Sequence, residues 1–183
     1  MKARKLAIAG AVEFVPTVYP DHRGMVAIPF HEDAFVDAVG HPLRVAQVNH
    51  SGSRAGVVRG VHFAEVPPGQ AKFVYCPRGA VLDVVVDVRV GSPTFGQWEA
   101  HVLDDEKHRQ LYVPVGFGHG FAVLSEVADV AYLVSSLYDP ETEAGIAWDD
   151  PDVGVDWRVS EPLLSERDKS APKLAEVAET LPF

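Results

Sequence analysis

The chain has 183 residues and a formal charge of −10, with 47% hydrophobic and 23% charged residues, which is the size and make-up of one soluble domain with a substantial core. The acidic balance excludes a protein that coats nucleic acid or an anionic membrane through a broad basic face, although a few Arg or Lys side chains can still reverse the field around an anionic ligand. No run approaches the roughly 20 apolar residues of a membrane span, and the single cysteine, Cys76, excludes an intrachain disulfide and fits a reducing cytoplasm.

From the N-terminus, Met1-Lys2-Ala3-Arg4-Lys5 precedes an apolar run over residues 6–12. Glu13 ends that run and no small-residue cleavage region follows, so it reads as a first strand rather than a secretory signal. Residues 31–39 carry Ala34, Phe35, Ala38 and Val39 on one side, with Gly40 as a stop, and predict a helix. Strands are expected at 43–50, 56–64, 70–76, 80–90, 97–103, 109–114, 119–124 and 128–136. The clearest is 80–90. Leu82, Val84, Val86, Val88 and Val90 share one face, while Asp83, Asp87 and Arg89 share the other. Gly91-Ser92-Pro93-Thr94-Phe95-Gly96 supplies the turn into the return strand at 97–103. Near the C-terminus Pro172 can open a helix with Leu174, Val177, Ala178 and Leu181 as its apolar stripe. Short strands at this density predict an all-β sandwich or barrel with a few short peripheral helices. The expected organisation is one domain over 1–183: N-terminal strands and arm to about 45, barrel core over about 46–140, and a C-terminal segment from about 141.

Two segments resemble the paired motifs of the cupin superfamily, a small β-barrel or jelly roll: Gly56-Val57-Val58-Arg59-Gly60-Val61-His62-Phe63-Ala64-Glu65 and Pro114-Val115-Gly116-Phe117-Gly118-His119. Metal-binding cupins draw His-x-His and a nearby Glu from the first motif and one more His from the second. Here the position two beyond His62 is Ala64, so a three-histidine site loses a ligand. No metal and no cofactor is therefore expected. A histidine freed from metal duty suits acid–base chemistry.

An ordered set of segments then resembles the dTDP-4-dehydrorhamnose 3,5-epimerase family from about residue 14 to 172. It includes Gln47-Val48-Asn49-His50-Ser51, Val58-Arg59-Gly60-Val61-His62-Phe63, Gly69-Gln70-Ala71-Lys72 and the run from Arg78 to Arg89. It continues with Ser92-Pro93-Thr94-Phe95-Gly96, Pro114-Val115-Gly116-Phe117-Gly118-His119-Gly120-Phe121 and Tyr138-Asp139-Pro140. Trp148-Asp149-Asp150-Pro151-Asp152 and Leu164-Ser165-Glu166-Arg167-Asp168 complete it. The resemblance implies a metal-free epimerase acting beside the 4-keto group of a dTDP-linked 6-deoxyhexose, in rhamnose-type or antibiotic deoxysugar assembly. Such a reaction removes a proton from one face of a carbon and returns one to the other. It needs a base near neutral pKa, a stabiliser for the enolate and an acid opposite the base.

On that resemblance His62 is the base, Asp168 the carboxylate that orients it, Lys72 the cation at the C4 oxygen and Tyr132 the opposite acid. Arg23 and Arg59 would hold the diphosphate, with Gln47, Asn49 and His119 as polar support. Tyr138 would stack on the thymine. For Asp83 a hydrogen-bonding supporting role and a purely structural one are both open. Simple alternation puts Arg59 and His62 on opposite strand faces, so Gly60 marks a bulge or Arg59 sits at the barrel mouth. After Asp21-His22-Arg23-Gly24 the family pattern continues with aromatics and Glu, on a strand that crosses to a second subunit of a homodimer. This chain has Val26 and Ile28 instead. C3, C5 or both could be the inverted carbon. The rival readings are a metal-dependent cupin oxygenase or isomerase, and a non-catalytic sugar-nucleotide-binding cupin.

Overall fold

Runs of β-branched residues broken by Gly and Pro build thirteen strands and three short helices among the described residues of the computed structural model, which are 1–179 and 181. Strands β1 (Lys2–Lys5), β2 (Val12–Val15), β5 (Gln47–Arg54), β7 (Lys72–Arg78), β10 (Gln110–Val113) and β12 (Val127–Val134) form a six-stranded sheet in the order β1-β2-β10-β7-β12-β5. Strands β6 (Val58–Ala64), β8 (Ala80–Asp87), β9 (Trp98–Asp104), β11 (Phe117–Val123) and β13 (Glu143–Gly145) form a five-stranded sheet in the order β13-β6-β11-β8-β9. The pairings are antiparallel and connect strands distant in sequence, such as β11 with β6 and β10 with β2. The two sheets face each other as a cupin-type jelly roll, with β3 (Val18–Asp21) and β4 (Gly24–Ala27) paired only with one another.

Apolar side chains fill three layers. Between the sheets lie Val74, Cys76, Leu111, Val113 and Val130 against Val81, Val85, Leu103, Phe117 and Phe121. Helix α1 (Glu32–Val39) covers the outside of the six-stranded sheet, burying Phe35 against Phe14, Phe73 and Tyr112. Full burial of one such ring contributes roughly 2–3 kcal/mol. The outside of the five-stranded sheet is covered by the tail, where Ile146, Val153, Trp157 and Leu174 meet Val61, Phe63, Leu82, Val84 and Val86. Strand β8 is therefore buried on both faces. Its polar face, carrying Asp83 and Asp87, points between the sheets, not to solvent.

The expected strand at 6–12 is corrected. β1 ends before the run and β2 begins at its last residue, Val12, so that residues 6–11 form the connection, with Leu6, Ile8 and Ala11 turned into the core. The run is apolar because Leu6, Ile8 and Ala11 join the core between the sheets, not because it alternates. Likewise residues 43–46 lie outside the strand that begins at Gln47, since Leu43 packs under α1. The helix at 31–39 forms as expected: His31 Nδ1 accepts from the Ala34 N–H, and Gly40 closes it in a left-handed conformation, its N–H donating to Val36 O at 2.7 Å. The C-terminal helix shortens to α3 (Leu174–Val177), with Leu181 still packed on the sheet. A further four-residue helix, α2 (Glu166–Lys169), and β13 had no legible periodicity.

Candidate active site

The inward face of the sandwich changes character along its length. One end is apolar; the other exposes polar side chains to a cleft of about 470 Å³. Its lining comes from strand alternation: Asn49 on β5, His62 on β6, Lys72 on β7, His119 on β11 and Tyr132 on β12. Arg59 also faces the cleft, and a bulge makes this possible. His62 pairs with His119 and Arg59 with Phe121, so three steps on β6 oppose two on β11. The extra residue is Gly60, at φ 131°, where an added Cβ would lie 2.5 Å from the Gly120 Cα. Of the two sequence-based alternatives for Arg59, the bulge is the one realised.

His62 is part-buried, and its Nε2 lies 2.5 Å from Asp168 Oδ1. Burial alone would raise the Asp168 carboxyl. The hydrogen bond and charge of His62 and the bond from Ser165 outweigh it and hold the group below the ordinary carboxylate range. Asp168 is therefore ionised at neutral pH and accepts from His62 Nε2–H, so that in the neutral ring Nδ1 is the nitrogen with the lone pair. Lys72 is 5% exposed and donates from Nζ to His62 O at 3.3 Å. Burial pulls its ammonium down to about 8, opposed by the charges of Glu143 and Asp83. Burial, with Glu143 second, raises the Tyr132 phenol, which stays protonated through neutral pH.

His119 Nε2 sits between both Asp83 oxygens at 3.0 and 2.9 Å. Asp83 thus stands behind the cleft wall, hydrogen-bonded to His119. Both cleft histidines offer Nε2 to carboxylates, and Ala64 supplies no donor, so this side-chain set does not fit the three-histidine metal site of other cupins. Gln47 also stands one layer back: its Nε2 donates to Asn49 Oδ1 at 2.5 Å and its Oε1 accepts from the Tyr138 N–H at 3.1 Å. Tyr138 reaches the cleft with its ring half exposed. Arg59 Nε donates to Ser53 Oγ at 3.1 Å, which fixes the guanidinium at the cleft wall.

Arg23 is the expected site residue that this chain does not bring to its own cleft. It lies at the tip of the β3–β4 hairpin, paired with Asp21 at 2.6 Å, because that hairpin joins neither large sheet. Among the polar cleft residues the sequence did not assign to the site are Arg54, Gln70, Glu143, Ser165 and Arg167. Glu143 on β13 and Arg167 on α2 form an ion pair at 2.7 Å, and Ser165 precedes α2. A three-residue strand and a one-turn helix are too short to show a period; only the segment Leu164-Ser165-Glu166-Arg167-Asp168 marked the second.

A family model described as dTDP-4-dehydrorhamnose 3,5-epimerase matches residues 5–176. A dTDP-4-dehydrorhamnose 3-epimerase of Streptomyces niveus is 52% identical over 176 residues, covering 96% of this chain and 85% of that one. A dTDP-4-dehydrorhamnose 3,5-epimerase of Mycolicibacterium smegmatis is 50% identical over 177 residues, covering 96% and 87%. The crystal structure of NovW, a 4-keto-6-deoxy sugar epimerase from the novobiocin biosynthetic gene cluster of Streptomyces spheroides, matches with a TM-score of 0.97 at 51% identity, over 98% of this chain and 90% of that one. A Legionella pneumophila dTDP-6-deoxy-D-glucose-3,5-epimerase in complex with dTDP-4-keto-L-rhamnose matches with a TM-score of 0.94 at 39% identity, over 99% and 97%. With likeness of this degree over nearly its whole length, the chain belongs to the dTDP-4-dehydrorhamnose 3,5-epimerase family, enzymes of the isomerase class.

Proposed function

We propose that this protein inverts C3, C5 or both in a dTDP-4-keto-6-deoxyhexose, by metal-free proton removal and return, in deoxysugar assembly in the cytoplasm. The observation that carries this reading is the convergence of a carboxylate-oriented histidine, a desolvated lysine and a buried tyrosine on one cleft. The 4-keto group acidifies the neighbouring C–H. His62 Nδ1 takes that proton while Asp168 stabilises the imidazolium. Lys72 meets the C4 oxygen where enolate charge gathers, a contact worth roughly 3 kcal/mol by analogy with an oxyanion donor. Tyr132 returns a proton to the opposite face; an enolate is basic enough to take it from a phenol. Arg59 grips the diphosphate, Asn49 and His119 add polar contacts, and Tyr138 offers its ring to the thymine. The dTDP-sugar bound to the Legionella relative supports this ligand class.

The working unit in this reading is a homodimer of one-domain subunits that exchange N-terminal strands. The hairpin exposes Tyr19, Met25 and Val26, and among the described residues β5 leaves one edge unpaired. Exchange of the hairpin would carry Arg23 to the cleft of the other subunit. Val26 and Ile28 would then stand at the nucleotide end, where the family pattern has an aromatic and a carboxylate.

The test is NMR of the reaction with dTDP-4-keto-6-deoxyglucose in heavy water, which identifies the carbon that takes up deuterium. His62→Ala is expected to slow uptake by about 10³-fold while dTDP binding stays within a few-fold of wild type. Unchanged uptake in that variant removes His62 as the base. Stoichiometric metal with chelator-sensitive turnover would instead support the oxygenase or isomerase reading.

A further inference from the structure

The carboxylate behind His62 is itself held, on its other oxygen, by the Ser165 side chain. Ser165 Oγ donates to Asp168 Oδ2 at 2.9 Å and accepts from the Asp168 N–H at 3.1 Å. Both bonds run to one residue, so the Ser165 hydroxyl fixes the Asp168 backbone and its carboxylate together. The other oxygen, Oδ1, faces His62 Nε2. Asp168 is only 4% exposed. Without the hydroxyl, Oδ2 would be a buried acceptor lacking a partner, and the carboxylate could turn about its last bond to find one. Neighbouring Arg167 clamps the same helical turn to β13 through Glu143 Oε2 and O at 2.7 and 2.8 Å, so the turn stays in position when the hydroxyl is removed.

We infer that Ser165 is a positioning residue for the proton transfer: its hydroxyl sets the carboxylate angle that keeps the His62 proton on Nε2 and the lone pair on Nδ1. This rests on the epimerase reading given above. The serine does two things that substitutions can separate. As the residue before α2 it caps the helix, a role glycine fills nearly as well. As a donor to Oδ2 it has no counterpart in glycine. Threonine retains both.

Ser165→Gly is expected to lower kcat for deuterium uptake about 10-fold with KM within twofold, and Ser165→Thr to restore kcat to within twofold of wild type. A kcat for the glycine variant within twofold of wild type overturns the inference. So does a rise in KM alone, which would make Ser165 a substrate contact. If the glycine variant fails to fold, Ser165→Asp replaces it. Aspartate also caps but sets a negative charge against Asp168, and kcat should fall further; wild-type kcat in that variant overturns the inference. Nitrogen-15 NMR of the His62 ring reads the tautomer without any turnover. The wild-type ring should be Nε2-protonated and the glycine variant a mixture of tautomers; an unchanged Nε2-protonated ring overturns the positioning role. A wild-type protein inert on every 4-keto sugar would sink the epimerase reading, while the ring spectrum would still decide the part played by Ser165.

Discussion

Lys72 has a proton affinity that its surroundings set deliberately low. Burial brings its ammonium to about 8, while the nearby charges of Glu143 and Asp83 keep it from falling further. Below pH 8 the group is a cation and can meet enolate charge; above, it is neutral and that attraction is lost. The kcat/KM profile, which reports the free enzyme, should therefore show an alkaline limb near pH 8. Lys72→Arg should carry that limb past pH 10, because a guanidinium keeps its proton there. Tyr132 does not compete for the assignment, since its phenol is raised by burial. A limb unmoved by Lys72→Arg would assign it elsewhere. At this scale the sequence was informative where a residue sits on a long strand. His62, Lys72, Asn49 and His119 stood in segments that carried the family resemblance, and Tyr132 matched the position of its acid. Glu143, Ser165 and Arg167 were not legible, because they reach the cleft from elements of three or four residues.

The element that places the most chemistry is β6, and it does so through its irregularity. Regular alternation would send Arg59 and His62 to opposite sides; the bulge at Gly60 brings both inward. Gly60→Ala should destabilise the fold by roughly 2–4 kcal/mol, since a positive φ and a Cβ 2.5 Å from backbone combine there. Urea unfolding measures this directly, and a change below about 0.5 kcal/mol would mean the strand re-registers freely. In surviving protein, dTDP binding should weaken more than the His62–Asp168 pair is disturbed. Strand β8 shows the opposite limit of sequence reading. Its two-faced pattern was plain in the chain, but two-facedness does not say where the polar side looks. Here Asp87 is fully buried, and Arg89, Ser92 and Thr94 all donate to its carboxylate. That network ties down the turn into β9, which the Gly/Pro content had marked only as a turn.

On the scale of the molecule, each sheet has one face on the shared interior and one covered from outside, by α1 or by the tail. The β3–β4 hairpin joins neither large sheet, and Tyr19, Met25 and Val26 on it and Ile28 just after it are exposed. Light scattering should give twice the 19.9 kDa of the chain, and Val26→Asp with Ile28→Asp should shift the mass toward that of the monomer; a wild-type monomer would remove the exchanged-strand arrangement. Sandwich and barrel were foreseeable from strand density, whereas sheet order was not, because antiparallel partners such as β2 and β10 lie far apart along the chain. His62 and Asp168 are as remote from one another, with 106 positions between their numbers. Among the described residues every strand is complete by Gly145, yet His62, the proposed base, lacks its carboxylate until the tail has wrapped the sheet and seated Asp168. One cut in the stretch between Gly154 and Ser165, followed by loss of the tail, would leave all thirteen strands in the chain and a catalyst with its trigger removed.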